Sequence, residues 1–468
     1  MRTLEHTRTA PSAFALSAAG LALVLGLVVT LDPRVAVALV LAAMLAVALG
    51  MRPALLLSVL VAAVFVEVVS LGGVGVVTLI APIAAIVLLA AATRPQMQIK
   101  VGAPLAWAIA YALWALASGL WTVSVGGTTY LLASLAIALV YMFAFAMLVD
   151  SERELEGVLY AFAFAALGIG LFAIGAFFLG LSGDLVEGRS SGGTGDPNFF
   201  AAYQIVALPL MLALLSRASR RWQRALVYAA ILVIIGSVLT SVSRGGLLTL
   251  IAVTLIVCAL PARSLFHFRR QKAAFVALVA VGGAFSLGAA ANEIVPRVES
   301  VFSPSSSASA ESEGSGRLVF WSAAWMSVKE RPLLGLGFGT FPKVSNDLIV
   351  RTPGVNFQHF ELRPKGSQVH NAYLGTLAEL GVVGLFLFLG LLISTALALR
   401  RTARRARRVG AYFVMRVANA LLLSLVGWAI ASIFLSSETS RPLWIVVGLA
   451  LALPKLVPDE GAAEVSPG

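Results

Sequence analysis

The chain has 468 residues, of which 59% are apolar and only 12% charged. Its mean hydropathy is +0.94 and its formal net charge +12. Soluble domains carry about 25% charged residues, so this composition excludes a soluble fold and reads as a polytopic membrane protein. The excess positive charge sits in short loops between apolar runs, where it acts as a topological signal and attracts anionic lipid; it is not a nucleic-acid footprint. A single cysteine, Cys258, allows no intrachain disulfide, so any domain outside the membrane must be held by packing.

An apolar run of about 20 residues crosses a bilayer as a helix. In chain order such runs fall near 12–31, 35–51, 53–71, 75–93, 103–121, 128–149, 156–181, 199–216, 225–241, 245–261, 273–290, 371–399, 411–436 and 441–457. Arg34 and Arg52 cut the first of these into short pieces, so the total lies between twelve and fourteen. The predicted fold is an all-α bundle of transmembrane helices. Its parts are N-terminal spans (1–150), central spans (151–290) with a Gly/Ser-rich loop at 182–198, one large polar segment (291–369), C-terminal spans (370–457) and a disordered tail (458–468). The first apolar run is followed at once by another, which reads as an anchor and not a cleaved leader.

Basic residues accumulate at Arg2 and Arg8, Arg94 and Lys100, Arg217 to Arg224, Arg263 to Lys272 and Arg400 to Arg408, each time after an even number of spans. Those loops are predicted to be cytoplasmic, which places both termini inside and the segment 291–369 outside. The short outer loops keep few arginines: Arg34, Arg189, Arg244 and Arg441. An arginine retained against the topological bias near hydrocarbon, where charge costs about 2.5–3.5 kcal/mol on the mildest scale, points to an anion for it to hold.

Arg189 lies in EGRSSGGTGDPNFFAAY, a loop in which Asp196 or Asn198 would cap the next helix and Pro197 would sit in its first turn. It reads equally as an anion ligand or as a solvated loop residue. Arg244 lies in TSVSRGGLLTL, between two spans with almost no loop. There Ser241 and Ser243 can satisfy backbone groups, and Gly245 with Gly246 would let a ligand approach the start of the next helix; a snorkelling interfacial arginine is the plainer reading. Arg317 follows Gly314, Ser315 and Gly316 and opens a helix whose Phe320, Trp321, Trp325 and Val328 predict one apolar face lying on the membrane surface. A guanidinium beside helix N-terminal N–H groups suits phosphate. Pro332 would end that helix, and Gly335, Gly337 and Gly339 would make tight turns.

His370 stands at the outer mouth of a span beside Asn371. Histidine, with an ordinary pKa near 6.5, can take up a proton around neutral pH, and neighbouring arginines would favour its neutral form; a structural role capping the helix is the alternative. No second histidine, carboxylate or cysteine sits at ligand spacing from it, so no metal site is expected. A transporter would show repeated halves and several ionisable residues in mid-membrane. Here only Glu67, Glu379 and Arg416 fall inside spans, and no internal repeat is visible.

GTGDPNFFA before a span, SRGG (Ser243 to Gly246), GRLVFWSAAW followed by RPLLGLGFGTF, and VHNAYLGTLAELGVVG, in this order over about Asp184 to Leu399, resemble the O-antigen ligase family of bacterial membrane glycosyltransferases, which includes polymerases of similar pattern. The resemblance implies a GT-C-like helical fold. It also implies inverting, metal- and cofactor-independent transfer of a glycan from a polyprenyl diphosphate carrier to an acceptor hydroxyl on the outer face of the cytoplasmic membrane. Carried over by motif, Arg244 and Arg317 hold the diphosphate, with Arg189 a further candidate, and His370 is the base. The peptidoglycan polymerases are a rival family, but their chemistry would need an outer-loop carboxylate. Glu311 and Glu313 lie in a serine-rich stretch poorly suited to that task.

Overall fold

Inside hydrocarbon only a helix or a closed barrel satisfies every backbone N–H and C=O. A computed structural model of the protein describes residues 52–67, 70–71, 74–92, 102–181, 185–186, 188–289, 313–353, 362, 364 and 366–458, and they are nearly all helical. The expected spans at 12–31 and 35–51, Arg34 and the expected tail beyond 458 lie outside them. Fourteen α-helices follow in order among the described residues: α1 (Pro53–Phe65), α2 (Val76–Ala92), α3 (Ala103–Ala117), α4 (Val125–Leu148), α5 (Glu152–Leu179), α6 (Pro197–Leu215), α7 (Arg221–Thr240), α8 (Arg244–Ala259), α9 (Arg269–Ala289), α10 (Glu313–Glu330), α11 (Phe341–Arg351), α12 (Ala372–Arg408), α13 (Tyr412–Ala431) and α14 (Arg441–Ala452). Seven of these (α3 with its 3-10 extension to Leu120, α4 to α7, α12 and α13) are long and apolar enough to cross a membrane. The protein is an all-α, multi-pass membrane protein.

Sequence chemistry explains the helix boundaries. Ser151 and Glu154 form a reciprocal capping box at the start of α5, and Gly180, at φ 66°, closes its far end. Asp196 Oδ1 accepts the Asn198 and Phe199 N–H groups and Pro197 opens α6, as the loop composition predicts. The expected span at 53–71 is only the 13-residue α1, about 20 Å long at 1.5 Å per residue and short of a bilayer core of about 30 Å; the hairpin of β1 (Ser70–Leu71) and β2 (Val74–Gly75) follows it. The 16-residue α8 is short for the same reason.

Helix α6 is the central post, buried over 94% of its most apolar stretch. It packs on α7, α8 and α13, while α12 lies along α3 and α13, and α14 lies along α4. Trp428 and Trp444, fully buried, fill the seam between α13 and α14. One pole of the bundle carries the arginine-rich turns. The opposite pole gathers the start of α4, α6, α8, α12 and α14 with α10 and α11.

Helix α10 differs from expectation in two respects. It begins at Glu313, so Gly314 to Gly316 form its first turn and Arg317 stands one turn inside it, not at its N-terminus. Its apolar residues also divide between two faces. Phe320, Ala323, Ala324 and Val328 are buried with residues of α11 and α12, while Leu318 and Trp325 are 62% and 50% exposed. At about 100° per residue, Phe320 and Trp325 stand about 140° apart, so Phe320 turns into the protein while Trp325 faces outward.

Candidate functional site

The turn expected from Gly335, Gly337 and Gly339 is real: the three have φ of 70°, 105° and 74°, a region open chiefly to glycine. It is laced to the first turns of α12. Leu336 N–H donates to Ala378 O and Gly337 N–H to Glu379 O at 3.0 and 2.8 Å. The Glu379 carboxylate, only 6% exposed, accepts the Gly339 N–H at 2.6 Å and the Phe341 N–H at 3.0 Å. Helix α12 can lend its backbone in this way because Gly381 interrupts it at φ 68° and ψ −172°, and a side chain there would overlap Leu333. The acid in the LAELG stretch is thus a structural clamp that also caps the start of α11.

A second strap runs from Ser432 to Ser440 between α13 and α14. Ser432 O accepts the Ala372 N–H at 2.9 Å, and Ser436 Oγ accepts the His370 N–H at 3.1 Å. Phe434 of the same strap lies on Gly245, next to Arg244. One nine-residue loop therefore touches the starts of both α12 and α8. Asn371, not His370, caps α12, its Oδ1 accepting the Tyr373 and Leu374 N–H groups at 3.0 Å. His370 sits just before the cap at φ 54°. Among the described residues the other non-glycine with positive φ is Val242, at φ 47°, two positions before Arg244. Such strain costs about 1–3 kcal/mol and tends to gather at functional sites.

Ser243 Oγ caps α8, accepting the Gly246 N–H at 3.0 Å, and donates to Asn198 Oδ1 at 2.7 Å, which joins the loop before α6 to the SRGG turn. The space beside Gly245 and Gly246 is taken by Phe434 and Ala201, so these glycines serve close packing instead of ligand approach. The Arg244 guanidinium, half-buried, makes no hydrogen bond or ion pair among the described residues. On the other side of His370, the Phe320 ring lies 6.0 Å away, centroid to centroid, and Phe320 is less than one helical turn from Arg317. His370 thus connects to the Arg244 region through the strap and to the Arg317 helix through Phe320.

Arg189 is placed differently. It lies on β4 (Arg189–Ser190), paired with β3 (Leu185–Val186), against α5 and α7, and only 3% of it is exposed. It is not a solvated loop residue. Arg441 is also spoken for: its guanidinium pairs with Glu67, whose other oxygen accepts the Tyr203 hydroxyl at 3.2 Å. The anion implied by this retained arginine is supplied by the protein.

Beside these residues opens a cavity of about 380 Å³, at the small end of the ligand-pocket range of about 300–1,000 Å³. Its wall includes Val369 and Ser436, the neighbours of His370, together with Glu379 and Glu438. Neither Arg244, Arg317 nor His370 lines it. Glu438 is buried, one carboxylate oxygen has no hydrogen-bond partner among the described residues, and burial pushes its pKa up to about 7.

The chain is therefore a polytopic helical membrane protein whose arginine-poor pole brings a histidine, cationic helix starts and a polar cavity together. Residues 229–389 match the family model described as O-Antigen ligase; this stretch is similar to that family, and the resemblance seen in its motifs is borne out. The matched stretch covers about a third of the chain. It takes in Arg244, Arg317 and His370 but neither Arg189 nor the Ser432–Ser440 strap. No curated protein matches the chain.

Proposed function

We propose that the protein transfers a glycan from a polyprenyl diphosphate carrier to an acceptor hydroxyl on the outer face of the cytoplasmic membrane. The observation that carries this reading is the Ser432–Ser440 strap, which holds His370 by its backbone and covers the turn of Arg244, a guanidinium with no partner among the described residues. His370 takes the proton of the acceptor hydroxyl as that oxygen bonds to the anomeric carbon. The bond from that carbon to the diphosphate oxygen breaks with inversion, and the electron pair leaves on the lipid diphosphate. Arg244 and Arg317 stabilise the charge that develops there. Arg189, buried on α5 and α7, is assigned no direct contact with the diphosphate. Transfer to a distinct acceptor and polymerisation of repeat units use the same chemistry, and the size distribution of the product separates them.

The test is turnover and donor binding measured in parallel. A general base contributes about 10² to 10⁴ in rate, so His370→Gln should lose transfer by that order while donor binding persists. Arg244→Ala should lose at least about tenfold, as expected for charge-assisted hydrogen bonds, and lysine should rescue it poorly for want of a bidentate fork. Turnover should survive excess EDTA. Wild-type turnover in His370→Gln, or loss of donor binding in place of transfer, overturns the assignment.

A further inference from the structure

The cavity beside the strap contains a carboxylate that neither the fold nor the proposed chemistry uses. Four acidic side chains line it, and three are satisfied. Glu67 is paired with Arg441 and Tyr203, Asp196 accepts two N–H groups at the start of α6, and Glu379 accepts two in the glycine turn. Glu438 is 8% exposed and has an oxygen without a hydrogen-bond partner among the described residues. An unsatisfied buried acceptor costs about 1–3 kcal/mol, and native proteins keep such groups where something else completes them.

The wall that holds Glu438 also carries small hydroxyls and aromatic rings. Ser134 donates to Thr439 at 3.3 Å, and Tyr130 and Phe199 line the same cavity, Tyr130 being 77% exposed. Apolar ring faces with a few fixed hydrogen-bonding groups suit a flat, hydroxyl-bearing ring. Counted formally, the wall holds four carboxylates against the single guanidinium of Arg441. That guanidinium is already engaged by Glu67, so the described wall offers a diphosphate no uncommitted cation, and above the pKa of about 7 to which burial pushes Glu438 a ring bearing its own carboxylate or phosphate would meet it with like charge.

We infer that this cavity is a subsite for a neutral sugar ring, with Glu438 accepting one of its hydroxyls, and that Glu438 makes the subsite reject anionic rings. Under the transfer reading this ring belongs to the acceptor, because the neighbouring Ser436 holds His370; only that last step rests on the reading. Glu438 is then a specificity-determining residue for which acceptors the protein takes.

The experiment reads binding alone. Saturation-transfer NMR is run on the full-length protein in detergent at pH 8, above the pKa of about 7 to which burial pushes Glu438. The probes are methyl glucoside, methyl galactoside and methyl mannoside, against methyl glucuronide as the anionic ring. Wild type should saturate at least one neutral glycoside and not the glucuronide. Glu438→Ala should weaken the neutral signal at least about tenfold, the lower end for a hydrogen bond to a charged group. Glu438→Gln, which keeps the shape and removes the charge, should gain the glucuronide. Tyr130→Ala should weaken all rings. The inference is overturned if no neutral glycoside saturates, if neutral and anionic rings bind wild type alike, or if Glu438→Gln leaves the preference unchanged. His370→Gln should retain the glycoside signal, so a failure of the base assignment shows in turnover and a failure of the subsite in binding.

Discussion

Replacing Glu379 tests the clamp that orders the glycine turn against α12. Its two oxygens each accept one buried N–H, from Gly339 at 2.6 Å and Phe341 at 3.0 Å. A buried N–H left without its acceptor costs about 1–3 kcal/mol, so Glu379→Ala, which strands two, should cost about 2–6 kcal/mol. Glutamine keeps one acceptor oxygen but turns an NH₂ toward the other N–H, so Glu379→Gln should cost about half as much. The assay is reversible unfolding in mixed micelles, with hydrogen exchange followed at the amides of Gly339 and Phe341. Those two amides should lose protection before the bundle helices do, because the turn is also tied to α12 through Leu336 and Gly337. A loss below about 1 kcal/mol for both variants, or unchanged protection at the two amides, would refute the clamp.

The Glu67 and Arg441 side chains are 25% and 14% exposed, so Glu67→Gln, Arg441→Gln and the double variant should show a coupling of about 0.5–3 kcal/mol in a double-mutant cycle; strict additivity would mean the pair does not form. Gly381→Ala places a Cβ against Leu333 at φ 68° and ψ −172°, a region open essentially to glycine where strain alone costs about 1–3 kcal/mol, and should lower the yield of folded protein measured by size-exclusion of the solubilised chain. Glu438 makes stability depend on pH. Its folded pKa of about 7 lies above the ordinary glutamate value, so the folded state holds the proton more tightly and its contribution is full below about pH 4.5. That contribution is lost as pH rises through 7, about 3 kcal/mol at 1.36 kcal/mol per unit. Glu438→Gln should match wild type near pH 4.5 and exceed it at pH 8, and parallel stability curves for the two would contradict the buried acid.

The parts of the fold that chain-local chemistry dictates were legible in the sequence. Asp196 and Pro197 begin a helix, Ser243 caps the next, and the glycines at 335, 337 and 339 take left-handed turns, because each effect acts within a few residues. The long-range contacts were not. Glu379 reads as an acid stranded in a span until the turn it clamps folds back onto it, and Arg441 reads as free until Glu67, 374 positions away, is beside it. The start of α10 was misplaced because GSG looks like a loop, and the inward side of Phe320 is set by α11 and α12, which no pattern within α10 reveals. The strap escaped notice because SSETS between two spans resembles any short outer loop. A lone acid in that loop, with no basic residue before Arg441, was the one signal available.

The strap also bears on when the site comes into being. A membrane chain is inserted from its N-terminus onward, so α8, α10 and the start of α12 are in place before residues 432–440 emerge. Until then His370 lacks the hydroxyl that receives its backbone N–H, Gly245 lacks the ring that covers it, and Glu67 lacks its guanidinium. The pole that would handle a reactive lipid-linked substrate is assembled only when the last helix docks along α4. A chain stalled before α14 would display the cationic turn without Ser436 behind the His370 N–H and without Phe434 over Gly245.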